Sequence, residues 1–185
     1  MARVLIPLAT GCEELEAVTL IDLLRRAGIT VITASLTEQQ QVTASRGVRL
    51  MADTTLAHIL HDDFDMLLLP GGMPGSTNLN EDPRIHAMIK KLNLSNKAIG
   101  AICAAPMVLA HSGLLNGKTA TCYPGMLSSE DWPEITFSTQ AVVIDGNVLT
   151  SQGPGTAMDF ALTIIEFLTD QDTRNNVEVG LVRPS

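Results

Sequence analysis

Aromatic residues are nearly missing from this chain. They make up 3% of its 185 residues, with one Trp and one Tyr, which excludes the stacking platforms that hold single-stranded nucleic acid. Positive charge is the scarcer sign: 12 Lys and Arg against 20 Asp and Glu leave a net charge of −8, which repels a phosphate backbone, so nucleic acid is not expected as a partner. Charged residues total only 17% against 45% hydrophobic ones; a disordered chain has the opposite balance. No apolar run approaches the roughly 20 residues of a membrane span. The start, Met1-Ala2-Arg3-Val4-Leu5-Ile6-Pro7, is too short for a signal-peptide core with its cleavage site. Cysteine is sparse as well. Cys12, Cys103 and Cys122 form no CxxC pair and no metal-ligand spacing, so neither a disulfide framework nor a metal site is expected. A reduced, cytoplasmic compartment is the simplest reading.

What the sequence does contain is enough apolar residue for one domain over 1–185, a length at which roughly 70% of the unfolded surface can be buried. A short apolar strand, a turn of small residues and a helix recur along it. Arg3–Leu8 leads through Ala9-Thr10-Gly11-Cys12 to a helix from about Glu13 to Arg26, with Ala17, Leu20, Ile21 and Leu24 on one face. Thr30–Ser35 is a second strand. After the polar Glu38–Gln41, the segments 42–44 and 48–51 read either as a small hairpin or as a plain surface insertion. Asp65–Leu69 is a continuous apolar run that Pro70-Gly71-Gly72 stops, as in a strand buried on both faces. A helix over about 83–94, a strand at Ala98–Ile102, a helix through Met107–Ala110, strands at Ala141–Ile144 and Val148–Ser151, and a helix with Ala157, Phe160, Ala161, Ile164, Ile165 and Leu168 on one face complete the pattern. Asp145-Gly146 signals a hairpin turn. The alternation implies a mostly parallel sheet with helices on both faces, and ligands bind such sheets beyond the carboxyl ends of the strands.

Cys103 sits at one of those ends, where a buried strand turns directly into a helix. The arrangement resembles a nucleophile elbow, and the helix N-terminus is expected to lower the thiol pKa below its free value of about 8.5. The alternative is an inert core cysteine. Gly71 and Gly72 are either backbone donors to a developing oxyanion or a turn requiring unusual dihedrals, and the two are compatible. Glu13, Glu14 and Glu16 match a helix dipole. Glu16, between Leu15 and Ala17-Val18, is also placed to point at the sheet's carboxyl end, where desolvation would protonate it for acid/base work. None of His58, His61, His86 and His111 falls in a strand-end turn, so no Cys–His dyad is visible and surface or structural roles are expected.

Gly11-Cys12-Glu13-Glu14-Leu15-Glu16-Ala17-Val18, Arg25-Arg26-Ala27-Gly28, Ser45-Arg46-Gly47-Val48, Leu69-Pro70-Gly71-Gly72, Ala101-Ile102-Cys103-Ala104-Ala105-Pro106 and Thr150-Ser151-Gln152-Gly153-Pro154-Gly155-Thr156 follow one another in that order. Together, over nearly the whole chain, they resemble the DJ-1 branch of the ThiJ/PfpI superfamily. The resemblance implies a flavodoxin-like three-layer sandwich, a homodimer, and Cys103 as reactive nucleophile with Glu16 as its protonated partner. It also implies Gly72 and Ala104 as backbone oxyanion donors, and Arg46 near the pocket and the dimer interface. It implies cofactor-free chemistry on small aldehydes or glycated substrates, of glyoxalase or deglycase type and linked to oxidative stress. The other function it implies is a non-enzymatic redox sensor and chaperone using the same cysteine. Two departures matter. Ala104 stands where the peptidase branch has His, which argues against proteolysis. Tyr123-Pro124 stands where many DJ-1-like members have His before Pro; this removes a possible proton shuttle and leaves Tyr123 as a hydrogen-bond donor with a pKa of about 10.

Overall fold

The computed structural model describes residues 1–183, so two residues of the domain expected over 1–185 lie outside the described part. Strand β1 (Arg3–Leu8) is buried at every position after Arg3, as in a central strand covered on both faces. Helix α1 (Glu14–Arg26) follows, with acidic residues in its first turn and Arg25 and Arg26 in its last, both matched to the helix dipole. Gly28, at φ 77°, ends it. The helix buries Ala17, Leu20, Leu23 and Leu24; Ile21, expected on that face, is only partly covered because the buried stripe runs through Leu23 instead.

Beyond β2 (Thr30–Ser35), strands β3 (Gln41–Thr43) and β4 (Arg49–Met51) pair antiparallel, so this segment is a hairpin. Next come β5 (Thr54–Thr55), α2 (Leu56–Ile59), β6 (Met66–Leu69), α3 (Gly75–Glu81) and α4 (Pro83–Leu94). Helix α4 starts on Asp82, whose side chain accepts the Arg84 N–H at 2.9 Å, with Pro83 in its first turn. The chain continues through β7 (Ala98–Ile102), α5 (Pro106–His111), β8 (Thr119–Ala120) and β9 (Thr136–Phe137). Strands β10 (Val142–Asp145) and β11 (Val148–Ser151) form the expected hairpin, with Gly146 at φ 64°. A helical turn at Pro154–Thr156 then leads into α6 (Ala157–Leu168) and α7 (Gln171–Gly180).

The main sheet has the order β10-β11-β7-β6-β1-β2-β5, parallel throughout except for β10 against β11. Its five central parallel strands follow the flavodoxin-like order. Alternate residues supply the two faces. Val4, Ile6, Met66 and Leu68 pack under α1 and α6, whereas Leu5, Leu67, Leu69 and Ile99 pack under α3, α4 and α5. The fold is therefore the α/β three-layer sandwich that the sequence implied. From β1 the chain runs outward to β2 and then returns to the other side of β1 as β6. The loops after β1 and β6 separate there, at the sheet's carboxyl edge, and that crevice is where ligands bind such sheets.

Candidate active site

Three turns converge on the crevice. Gly11 and Gly72 have φ of 81° and 90°, in the left-handed region. Both are also walled in: a Cβ on Gly11 would lie 2.5 Å from Pro74 Cδ, and one on Gly72 would lie 2.4 Å from the Glu13 nitrogen. The turn after β1 and the turn after β6 thus pack backbone on backbone. Glu13 N–H donates to the Gly71 carbonyl at 2.9 Å and Gly75 N–H to the Gly11 carbonyl at 3.2 Å.

The third turn carries Cys103. Its φ of 64° makes it one of the few non-glycine residues in left-handed geometry, and strain of this kind clusters at functional sites. The surroundings hold it there: its N–H donates to the Ser151 carbonyl at 3.0 Å, and its carbonyl accepts the Tyr123 N–H at 2.8 Å. Only 8% of the residue is exposed. The sharp turn expected at the end of β7 is present, but the three residues 103–105, rather than a direct junction, separate the strand from α5.

Glu16 meets Cys103 across Gly71. A Cβ on Gly71 would lie 2.6 Å from Cys103 Cβ and 2.8 Å from Glu16 Oε2, so only glycine permits the approach. Glu16 is fully buried, and Gly71 N–H donates to its Oε2 at 2.9 Å. Its Oε1 has no nitrogen or oxygen partner, and the Cys103 thiol is the remaining polar neighbour. Burial raises Glu16 to about 7. Burial, then the Glu16 charge, raise Cys103 to about 12, against the pull of the Gly72 and Ala104 N–H groups. This corrects the expectation of a thiol pKa lowered on its own by a helix N-terminus: α5 begins three residues later, and desolvation outweighs it. Two buried acids this close cannot both ionise, so the pair titrates as a unit and keeps one proton through neutral pH. The order of the two values leaves that proton on the sulfur at rest, so the thiolate facing the two N–H donors forms when the proton passes from Cys103 to Glu16.

The other expected site residues divide into two groups. Gly71, Gly72 and Ala104 join the pair. Tyr123, half-exposed, borders it beside Gly153: a Cβ on Gly153 would lie 3.3 Å from Tyr123 Cδ2 and 4.0 Å from Cys103 Sγ. Arg46 is exposed on the β3–β4 loop, and its N–H donates to Glu14 Oε1 at 2.9 Å. No hydrogen bond among the described residues ties its guanidinium to the pair. The nearness of Gly153 to Cys103 depends on a contact between chain segments far apart in sequence. Cys12 is fully buried and raised to about 12, chiefly by desolvation. His58, His86 and His111 make local bonds to Thr55, Asn80 and Met107 respectively, as structural residues do. Among the described residues no group of three or more His, Cys, Asp or Glu is arranged to hold a metal, and no helix is long and apolar enough to cross a membrane.

Residues 2–167 match the family model described as the DJ-1/PfpI family. The chain is 41% identical to Protein dj-1beta of Drosophila melanogaster over 96% of its own length and 95% of that protein's. The crystal structure of Drosophila DJ-1beta superposes with a TM-score of 0.93 at 39% identity, covering 100% of this chain and 99% of that one. Glutathione-independent glyoxalase DJR-1.2 of Caenorhabditis elegans is 34% identical, over 95% of this chain and 92% of that protein. Protein DJ-1 homolog B of Arabidopsis thaliana is 42% identical over 89% of this chain, which spans 37% of that longer protein.

Proposed function

The chain belongs to the DJ-1/PfpI family, and on that footing we propose that it is a cysteine-dependent, cofactor-free enzyme of reactive aldehyde or glycation metabolism, glyoxalase- or deglycase-type, cytoplasmic and linked to oxidative stress. The observation that carries the reading is the one-proton Cys103–Glu16 pair with the Gly72 and Ala104 N–H groups at the sulfur. The name of the nematode relative supports it.

On an α-oxoaldehyde the Cys103 thiolate adds to the aldehyde carbon, and the carbonyl electron pair moves to oxygen. That oxygen develops its charge beside the Gly72 and Ala104 N–H groups and takes the proton from Glu16, giving a hemithioacetal. Glu16, now a carboxylate, removes the proton from the same carbon to give an enediolate. It then returns that proton to the neighbouring carbon while the hydroxyl proton passes to the neighbouring oxygen, which leaves a 2-hydroxy thioester. Water hydrolyses this to the hydroxy acid and regenerates the thiol. One carbon is oxidised and its neighbour reduced, so no external oxidant or reductant is required.

A second reading, a redox-responsive stress protein with chaperone behaviour, draws on the unpartnered Glu16 Oε1. Peroxide that adds oxygen to the thiolate, losing water, places an acceptor within reach of a protonated Glu16. Purified protein incubated with methylglyoxal separates the two. The enzyme reading expects lactate, abolished in Cys103→Ser. Absence of product from the fully reduced protein overturns it in favour of the second; equal product from Cys103→Ser overturns the cysteine-dependent mechanism.

A further inference from the structure

Gly153 has no conformational reason to be glycine. Its φ of 167° is extended backbone open to any residue. What it lacks is room, because an added methyl group would press on Tyr123 Cδ2 at 3.3 Å and Cε2 at 3.8 Å, with Cys103 Sγ 4.0 Å away. Contacts of the first kind are tighter than ordinary van der Waals distance, so the aromatic edge could not stay where it is. The bare Cα of Gly153 is therefore the floor of a narrow slot between the tyrosine ring and the sulfur.

Both walls of the slot are held. Tyr123 donates its N–H to the Cys103 carbonyl at 2.8 Å and accepts the Met126 N–H at 3.0 Å, closing the turn through Pro124 and Gly125. Gly153 donates its N–H to Thr156 Oγ1 at 3.1 Å, and its carbonyl accepts the Thr156 N–H at 2.9 Å. Gly71 packs against Cys103 Cβ, and Glu16 beyond it is fully buried. Tyr123 itself is half-exposed, so the ring lies between solvent and the buried Cys103.

We propose that Tyr123 is the size selector of this site. Its ring, over the bare Gly153, admits to Cys103 only α-oxoaldehydes R–CO–CHO whose R is about the size of hydrogen or methyl, and turns away those carrying an aromatic ring or a glycated side chain. The inference rests on the aldehyde chemistry proposed above and narrows its substrate class to the smallest α-oxoaldehydes. The selection is steric and comes from ring carbons, not from the phenol oxygen.

Two measurements test it on Tyr123→Ala and Tyr123→Phe. One is the ratio of kcat/KM for phenylglyoxal to that for methylglyoxal. The other, which needs no turnover, is the ratio of Cys103 alkylation rates for N-phenylmaleimide and iodoacetamide, with the modified residue located by peptide mass. Tyr123→Ala is expected to raise both ratios by about tenfold or more, the scale on which a pocket discriminates by size. Tyr123→Phe is expected to keep both at the parent value. Ratios unmoved by Tyr123→Ala, or moved equally by Tyr123→Phe, overturn the selector. A parent that turns over neither aldehyde overturns the proposed enzyme, and the alkylation ratio then still decides the selector.

Discussion

Because Gly71 has no side chain, Cys103 and Glu16 approach across it until neither can lose a proton independently of the other. The consequence reaches stability. Glu16 in the folded chain holds its proton up to about pH 7, against an ordinary value of 4.5. Between those values the unfolded chain binds fewer protons than the folded one, so the contribution of Glu16 is most favourable below about pH 4.5 and declines as pH rises to about 7. The decline is of order 3 kcal/mol. Glu16→Gln carries no such proton and escapes the decline. Urea unfolding at pH 5 and pH 8 should show the variant gaining on the parent between the two, whatever its stability at pH 5. A difference between parent and variant that is the same at both values would mean Glu16 is ionised in the folded protein, and the thiolate would then lose its proton source. Glu16→Gln also retains an N–H donor toward an oxidised sulfur while removing the carboxylate that moves the substrate proton.

At the scale of elements, the turns after β1 and β6 depend on glycines for two separable reasons, backbone conformation and space. Gly11 needs both: φ is 81° and Pro74 Cδ fills the position of a Cβ. Gly117, in the turn before β8 and outside the site, needs only the first, with φ 74° and nothing within 4 Å. Gly117→Ala should cost about 1–2 kcal/mol for the left-handed conformation alone. Gly11→Ala should add roughly 1–3 kcal/mol of overpacking and slow Cys103 alkylation by displacing the turn that carries Gly72. Equal losses for the two variants in urea unfolding would show that the turns do not interlock. The same comparison shows what a sequence can display. Strands β1, β6 and β7 announce themselves by unbroken apolar runs, and α1, α4 and α6 by three or more buried residues at helical spacing. Helix α3 carries no such signal because Leu79 is its one large buried side chain, and α7 carries none because only Val177 is buried. Cys103, Glu16 and Gly72 were legible because strand-end turns can be found by pattern. The slot at Gly153 was not, since it joins the end of β11 to a turn that lies about 30 residues earlier in the chain.

For the whole molecule, the outer face of α1 poses the remaining physical problem. Leu15 and Val18 are 51% and 47% exposed, while Glu16 on the same helix points into the core. The β3–β4 hairpin extends this surface with Val48, 48% exposed, and Met51, 69% exposed. The two parts are tied together through the carboxylates at the start of α1. Ser45 Oγ lies 2.8 Å from Glu13 Oε2 and 2.9 Å from Glu14 Oε2, and the N–H groups of Arg46 and Val48 both point to Glu14 Oε1. An apolar area held this firmly, with charged groups at its edge, has the character of an association surface, and a second copy facing it through a two-fold axis covers both at once. A homodimer is accordingly the proposed state, with Arg46, which has no ion-pair partner among the described residues, at its border. Light scattering at micromolar concentration should give twice the mass of the chain. Val18→Asp, which sets a carboxylate in each copy against the other, should give the mass of one chain with an unchanged circular dichroism spectrum. A parent that runs as a single chain would remove the dimer and leave Leu15, Val18, Val48 and Met51 as scattered surface residues; a variant that stays dimeric would move the interface to another face of the molecule.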